Sequence, residues 1–266
     1  MTKIILAITF FLVSIIALAQ VSENREVSNF SSLKASTGIE VLYTVSNTKS
    51  VKVETDDKEN LKYIKTEVEN GTLKLYVDTK DYKKEGKTKK RSKGNNVNWI
   101  NGVEFSILKI IVSGPNLESI KASSSADIKI ENTNISTELN IAVSSSGSIS
   151  GNFNCSNLFI DASSSGEFLS NLNVTKVEVE SSSSSDVKLS GKATEISVKA
   201  SSSSSCDLKD FTVETAIIKA SSSSDVSLKV TKSIDAKASS SASIVYYGNP
   251  SQVAKEESSS GSVRNK

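Results

Sequence analysis

An all-β chain whose C-terminal part is a parallel β-helix of about eight serine-rich coils is what this sequence predicts. Three observations carry the prediction. One nine-residue motif recurs: apolar, any residue, Ala, three Ser, a small residue, Asp or Ser, apolar. Its copies begin at Ile120, Ile141, Ile160, Val179, Val198, Ile218, Ala236 and, in degenerate form, Lys255. The closing apolar residues, Ile128, Ile149, Phe168, Val187, Leu208, Val226, Ile244 and Val263, are 21, 19, 19, 21, 18, 18 and 19 residues apart. Within each copy apolar and small residues alternate with polar ones, the period-two signature of a strand.

A period near 19 is too short for a pair of sandwich strands with their turns. The L-x-x-L-x-L-x-x-N pattern of a leucine-rich repeat is missing. One coil of a parallel β-helix fits. In the first copy Ile120, Ala122, Ser124, Ala126 and Ile128 share the inward parity, and Lys121, Ser123, Ser125 and Asp127 the outward one. The copy holding Cys206 reads as carrying two extra residues, Val198 to Leu208, which leaves the parity unchanged. Small inward residues suit a sharp corner. Inward Ser124, Ser145, Ser164, Ser183, Ser222 and Ser240 are expected to stack ~4.8 Å apart, their hydroxyls bonded to neighbouring coils or to carbonyls at the bend. Outward, a serine line runs from Ser123 through Ser144, Ser163, Ser182, Ser201 and Ser221 to Ser239. An acidic line of Asp127, Glu167, Asp186, Asp207 and Asp225, interrupted by Ser148 and Ser243, is offset by Lys121, Lys129, Lys188, Lys199, Lys219 and Lys237.

Ahead of the repeat the chain divides into a leader, 1–19, and an N-terminal β region, 20–115, continuous with the repeats of 116–266. Lys3, the apolar run Ile4 to Leu18 and the Ala17-Leu18-Ala19 triplet make a secretory signal peptide. The run is shorter than the ~20 residues of a membrane span, and no later segment is apolar enough to cross. Ile64 to Glu69, Asn70-Gly71 and Leu73 to Val77 read as a hairpin with a type I′ turn. Val103 to Ser113 reads as one strand closed by Gly114-Pro115. Lys80 to Asn98 reads as a loop, with eight basic side chains between Lys80 and Lys93 opposed by Asp81 and Glu85.

Composition excludes several functions. Basic and acidic side chains nearly balance, 32 against 30, which argues against a nucleic-acid binder. Histidine is absent, removing the commonest general base and the commonest metal ligand. No G-x-S-x-G or S-x-x-K marks a serine nucleophile. No metal-type spacing and no calcium nonapeptide occur, so neither a metal nor a cofactor is expected. Cys155 and Cys206 are the two cysteines. Two to three coils apart, they are expected to stay unbonded.

The chain resembles the head GIN domain of putative autotransporter adhesins, an exported bacterial family. The resemblance rests on Arg25, Val27, Phe30, Leu33, Ala35-Ser36, Gly38-Ile39 and Val41, on the Asn-Gly hairpin after Leu61 to Glu69, and on the serine-rich coils. It covers nearly all of residues 24–250. The chain departs by using Ser where such proteins often use Gly, and by its basic loop. The resemblance implies a right-handed helix and carries no catalytic residues.

The expected function is that of a non-catalytic, adhesin-like binding module located in the periplasm, on the outer-membrane surface or outside the cell. Its expected partner is a polysaccharide or another cell-envelope component, and not nucleic acid. The candidate binding residues are Lys87, Lys89, Lys90 and Arg91 in the basic loop, for their unopposed charge, and Trp99, for stacking; Trp99 equally suits a cap on the core end. The alternative is a polysaccharide-processing enzyme using Asp186, Asp207 and Asp225 in adjacent coils, which requires two acids converging in a groove. A water-ordering serine lattice ranks below both, since Thr is scarce on it and lysines interrupt it.

Overall fold

The computed structural model describes residues 20–84 and 98–266. It shows β1 (Val21–Arg25), β2 (Ser32–Ala35), β3 (Glu40–Val45) and β4 (Ser50–Thr55), then a 3-10 turn at Lys58–Tyr63. β5 (Ile64–Glu69) and β6 (Thr72–Val77) follow, then a short helix α1 (Lys80–Lys84), β7 (Asn98–Ile100), β8 (Val103–Phe105) and β9 (Leu108–Gly114). The repeat supplies β10 (Ser119–Ala122), β11 (Asp127–Val143), β12 (Ser148–Ala162), β13 (Glu167–Ser181), β14 (Asp186–Ala200), β15 (Ser205–Ala220) and β16 (Asp225–Ala238). β17 (Ser243–Tyr247), β18 (Gln252–Glu257) and β19 (Ser262–Asn265) close it. From β10 onward the strands pair in parallel, each coil on the next, as a β-solenoid of about eight turns.

Register makes each motif position a ladder. One apolar ladder runs Leu73, Leu33, Ile120, Ile141, Ile160, Val179, Val198, Ile218 and Ala236. A second runs Ile110, Val41, Ile128, Ile149, Phe168, Val187, Cys206, Val226, Ile244 and Val263. Every member is buried, and burying one such side chain contributes ~1.5–3 kcal/mol. Both ladders start in the N-terminal region. Leu33 stacks on Ile120 and Ala35 on Ala122, so the Leu33-Lys34-Ala35-Ser36 stretch is a coil in its own right. At this N-terminal end the stack is continued by antiparallel pairs, β1 on β4, β4 on β9 and β5 on β6. Asn70 and Gly71 both have positive φ, 50° and 72°, as a type I′ hairpin turn requires.

The corners differ from the expectation. Ser124 and its equivalents do not face inward. Each coil turns through two successive left-handed serines: Ser124 and Ser125 (φ 51° and 61°), Ser183 and Ser184 (56° and 58°), and so on to Ser259 and Ser260. All are exposed. In every corner the amide three residues on bonds back, as Ala126 N–H to Ser123 O at 3.1 Å, which closes a type I′ turn. The turn amides also bond across coils, Ser125 N–H to Ser145 O at 3.0 Å and Ser146 N–H to Ser164 O at 3.1 Å. Strict alternation therefore breaks at the turn tip. The inward small residue of each corner is the one after the two left-handed serines: Ala126, Gly147, Gly166, Ser185, Ser204, Ser224, Ala242 and Gly261. Space there is short, for a Cβ on Gly147 would lie 2.6 Å from Ala122 O. The buried hydroxyls expected at the bend belong to Ser185, Ser204 and Ser224, which donate to Ala162 O (2.9 Å), Ser181 O (3.0 Å) and Ala200 O (3.0 Å).

Three further expectations are revised. The Cys206 copy has no insertion: Asp186 pairs with Ser205 and Val187 with Cys206, and the extra residues fall after Leu208, where the register shifts against β16. Val103 to Ser113 is two strands, with Ser106 and Ile107 between β8 and β9, and their amides are held by the Asp56 carboxylate. The loop expected from Lys80 begins as α1; residues 85–97 lie outside the described ones.

Cys155 and Cys206 are buried and free. Their strands, β12 and β15, are three ladder steps apart, ~14 Å at ~4.8 Å per step and beyond the ~7 Å α-carbon limit for a disulfide. Burial pushes the thiols from the ordinary 9.0 up to about 11 for Cys155 and about 12 for Cys206. An acid held neutral in the folded chain makes the unfolded chain lose protons first. Stability therefore holds below pH 9 and falls as pH rises toward these values. A Cys155→Ala/Cys206→Val variant should show a shallower alkaline decline in its urea midpoint. At pH 8 a thiol reagent should label the parent slowly when folded and promptly when unfolded.

A second prediction concerns the corners. Left-handed backbone costs a residue with a Cβ ~1–2 kcal/mol, and Asn-Gly relieves most of it. Replacing Ser183-Ser184 by Asn-Gly should raise stability by ~1 kcal/mol, read as a higher urea midpoint, and Ser184→Val should lower it by a similar amount. A midpoint unmoved by both would mean that the turn carries no strain.

Candidate binding groove

The outward residue just before each corner forms a ladder of its own. It runs Lys74, Lys34, Lys121, Ala142, Asp161, Glu180, Lys199, Lys219, Lys237 and Glu256. Three lysines therefore stack at successive strand spacings, with a carboxylate beyond each end. Lys199 bonds Glu180 at 2.8 Å and lies 3.9 Å from Glu178; Lys237 bonds Glu256 at 2.6 Å. Those contacts hold both ammonium groups above their usual range and the Glu256 carboxyl below its own. Lys199, Lys237 and Glu256 are exposed and Glu178 and Glu180 half-buried, and such surface pairs contribute ~0–1 kcal/mol each. Lys219, between the two, makes no ion pair among the described residues.

Beside the lysines runs the first turn residue of each corner, Ser182, Ser201, Ser221, Ser239 and Ser258. The two ladders and the bend between them enclose a groove of about 630 Å³, floored by Ala200, Ala220 and Ala238. That size suits a small ligand or part of a polymer. The sequence shows these lysines at one position of the repeat. It does not show that the coil is concave there, because the groove comes from the angle at which the strand enters the left-handed turn.

Of the acids expected to line up, Asp127, Glu167, Asp186 and Asp225 do and Asp207 does not. The ladder through Asp127 runs Glu40, Asp127, Ser148, Glu167, Asp186, Ser205, Asp225, Ser243 and Ser262. Asp207 is on a different ladder, between Lys188 and Ser227. Asp186 and Asp225 are separated by a whole coil. Asp186, Asp207 and Asp225 thus do not follow one another on adjacent coils of one line, because the Cys206 copy has no insertion and Ser205 stands between Asp186 and Asp225. Lys129 is drawn to Asp127 and Glu40 of this line, whereas Lys199 and Lys237 pair within their own ladder. Among the described residues no group of three or more His, Cys, Asp or Glu is placed to hold a metal ion, and no helix is long and apolar enough to cross a membrane.

Of the candidate residues, Lys87, Lys89, Lys90 and Arg91 lie outside the described ones. Trp99 is half-buried on β7, opposite Glu104 of β8. Its Nε1 is buried and has no hydrogen-bond partner among the described residues. The hairpin sits by the first corner of the stack, where Asn98 Nδ2 donates to Gly38 O at 3.4 Å. Trp99 and the lysine groove are therefore at different places: the first beside the Thr37-Gly38 corner, the second on coils β13 to β18.

Fold and groove together define a parallel β-solenoid with a ligand-sized polar face. A family model described as the putative auto-transporter adhesin, head GIN domain, matches residues 29–171 and 157–250, and the chain belongs to that family. Solved structures share the fold across nearly the whole chain. A putative lipid binding protein from Parabacteroides distasonis is 21% identical, covers 93% of this chain and 96% of its own, and has a TM-score of 0.77. A putative adhesin from Parabacteroides merdae has the same coverage and TM-score at 15% identity. A putative adhesin from Bacteroides fragilis is 20% identical, with 93% and 97% covered and a TM-score of 0.63. No curated protein of established function matches the chain.

Proposed function

We propose that this chain is an exported, non-catalytic binding module of adhesin type that holds a cell-envelope polysaccharide along the outer face of its solenoid. The observation that carries this is the groove, where ammonium groups and hydroxyls recur at the strand spacing. A ligand lying along such a face must itself repeat, and polysaccharides do. Membership of an adhesin-type family supports the reading, and so does the signal-peptide pattern of residues 1–19. The basic residues Lys87, Lys89, Lys90 and Arg91, with Trp99, are proposed as a second contact that draws in acidic partners. Attraction of that kind fades within ~8 Å at physiological salt.

A glycan array tests this. The parent should retain one class of polysaccharide without cleaving it. The Lys199→Ser/Lys219→Ser/Lys237→Ser variant should lose retention while unfolding at the parent's urea midpoint. Replacing Lys87, Lys89, Lys90 and Arg91 by Ser should weaken retention of acidic glycans and make it less salt-dependent, while the part lost in the triple variant remains. Shortened glycan products, or a triple variant that binds like the parent, would contradict the proposal.

A further inference from the structure

We infer that the groove is an acid-sugar site in which Lys219 binds the carboxylate of a uronic acid flanked by neutral sugars. This rests on the reading of the groove as the ligand face and gives that ligand a chemistry.

The order of charges along the ladder is the reason. From Glu180 it runs negative, positive, positive, positive, negative, ending at Glu256. The outer lysines are neutralised by the flanking carboxylates. Lys219 is left with a like charge one strand step away on each side, an arrangement that opposes the stacking of those strands. Serine at this position would have avoided the repulsion, and it is the residue the chain uses most on its surface. An anion on Lys219 removes the repulsion from both sides at once.

The surroundings restrict what that anion belongs to. The hydroxyls of Ser201, Ser221 and Ser239, half-buried beside the lysines, make no hydrogen bonds among the described residues. They are free to donate to and accept from sugar hydroxyls. Glu180 and Glu256 stand ~10 Å from Lys219, two strand steps away on either side. They accept hydrogen bonds from neutral sugars but repel a second anion. A polymer charged on every unit would set its neighbouring charges toward these carboxylates. A single carboxylate between neutral, hydroxyl-bearing units matches the whole sequence of charges. No covalent step is involved.

Calorimetry on the full mature chain tests this with three soluble probes: the hyaluronan trisaccharide, in which one uronic acid lies between two neutral sugars; polygalacturonate, charged on every sugar; and dextran, uncharged. Hyaluronan should bind most tightly. Lys219→Gln should weaken it by about tenfold or more, as expected for loss of a charge-assisted hydrogen bond. Lys219→Glu should abolish binding and raise the urea midpoint, since it puts an acid between two lysines, so lost binding there cannot be attributed to unfolding. Lys232→Gln, at a lysine that pairs with Glu214 outside the groove, should change nothing.

The inference is overturned if Lys219→Gln binds like the parent, if polygalacturonate matches hyaluronan, or if vesicles containing phosphatidylglycerol bind at Lys219 and the glycans do not. Dextran binding that survives Lys219→Glu would leave the polysaccharide-binding reading standing while removing the acid sugar. Failure of every glycan, on the array as well, would remove both.

Discussion

Each coil of this solenoid turns a corner through two consecutive residues in left-handed conformation, and the rest of the molecule depends on that turn. The type I′ geometry closes on itself through one backbone hydrogen bond and passes others to the coil on the far side. The amides on either side of the exposed tip are thereby satisfied within the stack, as stacked backbone requires. The turn also fixes which residue comes next on the inside. A one-residue change in its length would reverse every side chain in the following strand. With the turn constant, Leu33 to Ala236 and Ile110 to Val263 become continuous columns, and the core is a set of such columns rather than a central cluster.

The same constancy builds the surface. Because register is kept, any residue type that recurs at a motif position becomes a line along the solenoid. Lysine recurs just before three successive corners and serine just after. Their juxtaposition needs no dedicated loop, insertion or buried polar network. What makes the place a groove is the change of direction at the corner. What gives it a charge order is the pair of glutamates at Glu180 and Glu256.

Much of this is legible in the residues. The period, the apolar columns and the continuity of Leu33-Lys34-Ala35 with Ile120-Lys121-Ala122 follow from spacing alone. The corner does not. A run of serines fits a strand by parity, and left-handed backbone is ordinarily announced by Gly or Asn, as at Asn70-Gly71. With Ser in those places parity sets the first of the pair, such as Ser124, inward, whereas both serines leave the strand and are exposed. The misplaced insertion in the Cys206 copy has the same origin. Five serines from Ser201 to Ser205 offer no marker of where the turn ends, so spacing alone sets Leu208 where the register sets Cys206. That one shift puts Asp207 in the acidic line, where the register places Ser205. Trp99 illustrates a different limit: aromatic type and loop context do not say against which coil a hairpin settles.

The in-register stack of lysines is the claim on which both the fold and the groove rest, and cysteine crosslinking tests it directly. In a Cys155→Ala/Cys206→Val background, Lys199→Cys with Lys219→Cys places two α-carbons one ladder step apart, within the ~4.4–6.8 Å that a disulfide spans. That pair should oxidise to an intramolecular disulfide in the folded chain. Lys199→Cys with Lys237→Cys, two steps apart at ~10 Å, should remain reduced. Ready crosslinking of the second pair, or failure of the first in a chain that unfolds cooperatively, would contradict the register.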